Sequence, residues 1–145
     1  MKHSKYHVAL TLAIALNVSC SKFDDGPAIS FIPAESRLTG EWVVVEFEGP
    51  YANDYNAYLA SRFIIKFEFD DDGSGLWSYV YSYGGYFSEE VYSTSWDLDD
   101  NELDIYYEGD ALNFEIQRLT RKEMTLRARN GEFIDTGMVM KLEKE

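Results

Sequence analysis

From Gly40 to the end of the chain, apolar and polar residues alternate in short runs that are separated by turn residues. A period of two marks half-buried β-strands, because successive side chains leave a strand on opposite faces. Glu41 to Phe47 is the first run, and Gly49-Pro50 ends it. In Phe63 to Phe69 the alternation puts Phe63, Ile65, Phe67 and Phe69 on one face. Asp70 to Gly75 then reads as a turn, and Leu76 to Tyr83 places Trp77, Tyr79, Tyr81 and Tyr83 together. Gly84-Gly85 turns the chain, and Val91 to Leu98, Leu103 to Tyr107, Leu112 to Leu119, Met124 to Arg129 and Met138 to Leu142 follow. Asn130-Gly131 is a strong hairpin signal between the last two. Only Tyr51 to Arg62, with Tyr55, Tyr58 and Leu59 at helical spacing, predicts a turn or two of helix.

Eight short strands in consecutive hairpin order, with no long helix, suggest a closed barrel or a sandwich. Closure is the reading adopted: a single eight-stranded antiparallel up-and-down β-barrel over residues 34–145, with a short helical segment between the first two strands. Composition agrees, since aromatics reach 16% of 145 residues and favour strands. Lys2 and Lys5 are the only formal charges before Cys20, so the remainder carries 11 basic against 26 acidic residues, a net −15. So acidic a surface repels phosphate backbones and argues against nucleic acid as a partner.

The first residues read as an address. A short basic start, an apolar run from Val8 to Leu16 and a small residue before Cys20 describe a secretory signal peptide over residues 1–19. The run falls far short of the ~20 residues a membrane span needs. Leu16-Asn17-Val18-Ser19-Cys20 resembles the lipobox of bacterial lipoproteins, although Asn17 departs from the usual aliphatic residue. That resemblance implies acylation, palmitate included, at Cys20 and attachment to the outer membrane. Cys20 is the only Cys, so no disulfide is expected and acylation accounts for the unpaired thiol. Residues 20–33, with Gly26 and Pro27 and no periodicity, read as a tether. Lys22 followed closely by Asp24 and Asp25 resembles the surface-export signal of some outer-membrane lipoproteins.

Gly40-x-Trp42 at the start of the first strand resembles the Gly-x-Trp signature that opens the lipocalin barrel. The layout that follows, from Phe67 to Gly73 through Trp96-Asp97-Leu98, Leu103-x-Ile105 and Phe114-x-Ile116, is similar to the lipocalin-like lipoproteins of Gram-negative outer membranes. The resemblance implies that Trp42 closes the barrel floor and that a late arginine lies over it, with Arg127 and Arg129 both candidates. It also implies a habit of binding small apolar molecules, although fold does not fix function.

The chemistry of the chain narrows the rest. His3 and His7 both leave with the signal, which excludes Ser–His and Cys–His catalysis and a His- or Cys-ligated zinc site from the mature part. No enzyme activity, cofactor or metal is expected. Carboxylate hydrolysis needs two facing acids, and Glu46, Glu89 and Glu90 are the ones to watch. Asp97, Asp99, Asn101 and Glu108 have calcium-loop spacing, but Glu102 stands where glycine is needed, so the segment reads as a turn.

The inward aromatic face is the remaining candidate site: Trp42, Phe67, Trp77, Tyr79, Tyr81, Tyr92, Trp96, Tyr107 and Phe114. A small barrel either fills its interior with such rings or holds one small ligand among them. The expected function is a non-enzymatic lipoprotein that binds a small apolar or amphipathic molecule inside the barrel. The alternative is a protein-interaction module of the cell envelope with a filled core, using Tyr83, Tyr86 and Phe87.

Overall fold

A computed structural model describes residues 32–130 and 134–145. After a short helix α1 (Ala34–Leu38) come β1 (Gly40–Glu48), helix α2 (Ala52–Ala60), β2 (Ile64–Phe69) and β3 (Ser74–Tyr83). Then follow β4 (Tyr86–Asp99), β5 (Glu102–Tyr107), β6 (Asp110–Leu119), β7 (Glu123–Ala128) and β8 (Val139–Lys144). Each strand pairs antiparallel with the next and β8 returns to β1, which closes the barrel. The all-β, up-and-down reading holds, and α2 lies inside the segment where helix is expected. The anticipated signal peptide, Cys20 and most of the tether lie outside the described residues.

Three elements differ from expectation. β4 begins at Tyr86 instead of Val91, because Gly84 and Gly85 both take positive φ, 58° and 84°, and make a two-residue turn. That turn fixes the register Tyr83↔Tyr86 and carries the pairing through the polar residues Ser88, Glu89 and Glu90. The last two strands are not joined by a two-residue turn at Asn130-Gly131, since β7 ends at Ala128 and β8 starts at Val139. Asn130 instead bonds β6 as a strand would. Its Oδ1 accepts from the Asn113 amide at 3.2 Å and its Nδ2 donates to the Ala111 carbonyl at 2.7 Å. Helix α1, which alternation does not signal, packs beneath the barrel with Leu38 fully buried.

The barrel has two unlike ends. At the lower end lie α1, the β2–β3 turn and the C-terminus; at the upper end lie α2, the β3–β4 turn and the β5–β6 turn. The lower and middle interior is filled. Trp42, Phe67, Phe69, Leu103, Phe114, Ile116 and Leu142 are all almost fully buried. Each such side chain contributes roughly 1.5–3 kcal/mol by leaving water.

The floor is built on Trp42. Its indole Nε1 donates to the Leu38 carbonyl at 2.6 Å, tying α1 to β1. The cation over the ring is Lys144, with Nζ 5.0 Å from the ring centroid. Neither arginine candidate takes that place. Arg127 is exposed, and Arg129 reaches across the outer surface to Glu115 at 3.2 Å. β7 runs toward the upper end, so both arginines lie far up the wall, whereas β8 runs down and delivers Lys144 to the floor. Gly40 has φ +120°, and a Cβ there would lie 2.8 Å from Lys144 Cε. The Gly-x-Trp pair therefore has a physical reason: the glycine leaves room for the lysine that covers the tryptophan.

Candidate functional site

Sheet pairing weakens toward the upper end. β2 pairs with β1 only from Gly40 to Val43, β7 pairs with β6 only from Phe114 to Leu119, and β5 pairs with β4 only from Ser95 to Asp99. Two of the resulting gaps are filled by asparagine. Asn56 of α2 accepts from the Phe47 amide at 2.8 Å and donates to its carbonyl at 2.9 Å, while Asn130 serves β6 as described. The third gap lies along β4 above Ser95. Among the described residues no strand pairs with that edge. A groove of about 550 Å³ occupies it, bordered by Thr94, Tyr106, Tyr107, Glu108 and Asp110.

The predicted site residues divide between the two ends. Trp42, Phe67 and Phe114 are core and leave no room for a ligand. Trp96 lies at the lower end, where its Nε1 donates to the Ser74 carbonyl at 2.8 Å and its ring meets Phe69 edge-on at 5.9 Å. Trp77, Tyr79, Tyr92 and Tyr107 come together higher up. Trp77 and Tyr92 are cross-strand partners that stack at 5.0 Å, and Tyr107 meets Trp77 edge-on at 4.9 Å. Tyr81 stands near the rim, 38% exposed, with Phe63 between it and Tyr79. Trp77 roofs the filled core, whereas Tyr79, Tyr92 and Tyr107 are only half-buried. Tyr107 both borders the groove and belongs to the aromatic cluster.

One acid joins these rings. Glu90 faces inward opposite Tyr79, and its Oε2 accepts from the Tyr79 hydroxyl at 2.5 Å and the Tyr92 hydroxyl at 2.9 Å. These bonds hold the Glu90 carboxyl below its ordinary range, since they favour the charged form. The same contact with Glu90, then that with Tyr92, pushes the Tyr79 hydroxyl well above its usual value. Among the described residues no basic side chain pairs with Glu90. Glu89 points outward, and Glu46 on the outer wall bonds Lys141 at 3.0 Å, so the three watched acids are not brought together.

Phe63 and Glu90 join these rings but are absent from the aromatic site that the sequence predicts. Phe63 falls on the inward face of its run but precedes β2, at the rim. Glu90 has the same phase as Tyr92 and Trp96, and that signal reads only once β4 is carried back to Tyr86. Outside the barrel, Ile64, Leu76, Phe87 and Val91 form an exposed apolar strip on β2, β3 and β4, with Phe87 75% exposed. Tyr86, also expected on the surface, is 83% exposed. Nothing is described of the Tyr83 side chain. Among the described residues no group of three or more His, Cys, Asp or Glu side chains is placed to hold a metal. No helix among them is long and apolar enough to cross a membrane.

The sequence pattern of the lipocalin-like domain matches residues 38–126. Among solved structures, an uncharacterized protein from Bacteroides eggerthii is similar at 18% identity, over 74% of this chain and 99% of that one, with a TM-score of 0.51. Bovine odorant binding protein, solved in complex with undecanal, is similar at 18% identity over 76% of this chain and 72% of that one, with a TM-score of 0.45. At these identities the likeness is one of fold. No curated protein matches the chain.

Proposed function

Because this chain belongs to the lipocalin-like domain family, we propose that it is a non-enzymatic lipoprotein that binds a small apolar or amphipathic molecule at the upper end of its barrel. The observation that carries this reading is the break in the wall beside half-buried rings: the groove along β4 reaches Tyr107, and through it Tyr92 and Trp77. A cleft of this size, with Tyr106 and Tyr107 on one side and the hydroxyls of Ser93, Thr94 and Ser95 on the other, suits a small ligand. The filled lower half sets its depth, so the ligand enters from the upper end and stops at Trp77. Acylation at Cys20 would hold the barrel at the outer membrane, supported by the apolar run and small residue before that Cys.

A second reading rests on the outer strip of Ile64, Leu76, Phe87 and Val91 beside an unpaired strand edge, where a protein partner would add a strand. Native mass spectrometry of the full chain released from its own envelope separates the two. A bound small mass, lost on Tyr92→Ala, supports the carrier. A stoichiometric protein partner lost on Val91→Lys, with no small mass, supports the module. Replacing Cys20 by Ala tests the anchor separately, with loss of acyl label and of membrane attachment expected.

A further inference from the structure

The carrier reading leaves the ligand's charge open, and the chemistry around Glu90 fixes it. We propose that the upper site selects an organic cation, an ammonium group on an apolar or aromatic body, over neutral and anionic molecules of the same shape. The proposal rests on the carrier reading.

Three observations lead to it. Glu90 Oε2 is held by the Tyr79 and Tyr92 hydroxyls, and Oε1 accepts no hydrogen bond among the described residues. One carboxylate oxygen is therefore left for a ligand donor on the inward face of β4. The rings that hold Glu90 belong to a cluster: Tyr79 and Tyr92 lie 6.1 Å apart, Tyr92 and Tyr107 lie 5.9 Å apart, and Trp77 packs against all three. Aromatic faces attract cations through their negative quadrupoles, and more strongly where water is partly excluded. Finally, neither of two upper-end grooves is lined by a base. The groove along β4 is bordered by Glu108 and Asp110 with no Lys or Arg. A second upper-end groove, of about 390 Å³ beside α2, is lined by Asp54, Asp135 and tyrosines, again with no base.

These features act together on ligand charge. A fatty acid or phosphate ester entering headgroup first would set its anion against Glu90, with no basic residue in either groove lining to receive it. An ammonium group would find a carboxylate oxygen beside a cluster of aromatic rings. The hydroxyls of Tyr79 and Tyr92 are already committed to Glu90, so they stabilise the charge that does the selecting.

Isothermal titration of the full chain with three probes of one shape tests this: 3-phenylpropylammonium, 3-phenylpropionate and 3-phenyl-1-propanol. The ammonium is expected to bind at least about tenfold more tightly than the other two. Glu90→Gln should reduce that preference about tenfold, and circular dichroism confirms that the variant is folded. Equal binding of all three, or tighter binding of the carboxylate, overturns the cation assignment and leaves the carrier reading in place. Binding of none overturns both. A preference that survives Glu90→Gln overturns the role given to Glu90 and with it the proposal.

Discussion

The ammonium of Lys144 lies 5.0 Å from the ring centroid of Trp42 and also donates to the carbonyls of Arg37 at 3.0 Å and Thr39 at 2.5 Å. One residue from the last strand thus covers the indole and closes the end of α1, two tasks about a hundred residues away in the sequence. Lys144→Met keeps the stem but removes the charge and leaves both carbonyls without this donor. It should cost about 1–3 kcal/mol. Gly40→Ala should cost a similar ~1–3 kcal/mol, because it forces a side chain into positive φ and into Lys144. Because the two residues meet, the double variant should lose less than the sum of the single losses. Urea unfolding followed by tryptophan fluorescence measures all three.

Packing depth separates the core from the site. Phe114 is 1% exposed and meets Phe67 edge-on at 6.5 Å. Phe114→Ala should cost about 3–5 kcal/mol. Tyr107 is half-buried at the groove, so Tyr107→Ala should cost clearly less, about 1–2 kcal/mol, while weakening ligand binding more than Phe114→Ala does in whatever fraction stays folded. Urea midpoints and ligand titrations on the same samples check the crossing of the two orders.

The Glu90–Tyr79 bond gives stability a plateau in pH with both edges set by one contact. Glu90 has its folded pKa below the ordinary 4.5, so its contribution is complete above about pH 4.5 and is lost as pH falls through the folded value. Tyr79 has its folded pKa above the ordinary 10.0, so its contribution is complete below about pH 10 and is lost as pH rises through the folded value. Absorbance titration at the tyrosinate band should show a tyrosine that resists ionisation beyond pH 10. Glu90→Gln should return it toward the ordinary range.

The alternation from Trp42 onward revealed the barrel because each strand has one face on the core, and burial enforces a period of two. Phe67 and Phe114 were legible for that reason. The site was less legible because its residues depend on where strands end. Trp96 has the inward phase of Tyr92, but four residues along β4 carry it to the opposite end of the barrel. Glu90 was legible as an acid to watch, but its place beside Tyr79 and Tyr92 reads only once the Gly84-Gly85 turn sets the register. The cation over Trp42 could not be read from the positions of Arg127 and Arg129, because which end a strand reaches depends on its direction. A lysine one residue from the C-terminus carries no local signal of its task.

Quenching of tryptophan fluorescence by N-phenyl-1-naphthylamine tests most directly whether the upper half of the barrel takes up a small molecule. Trp77 lies beside the site, and Thr94 borders the groove from β4. Saturable one-to-one quenching is expected for the native chain, with strong loss in Thr94→Trp, whose larger side chain would occupy the groove. Quenching that never saturates, or that proceeds unchanged in Thr94→Trp, would contradict the account.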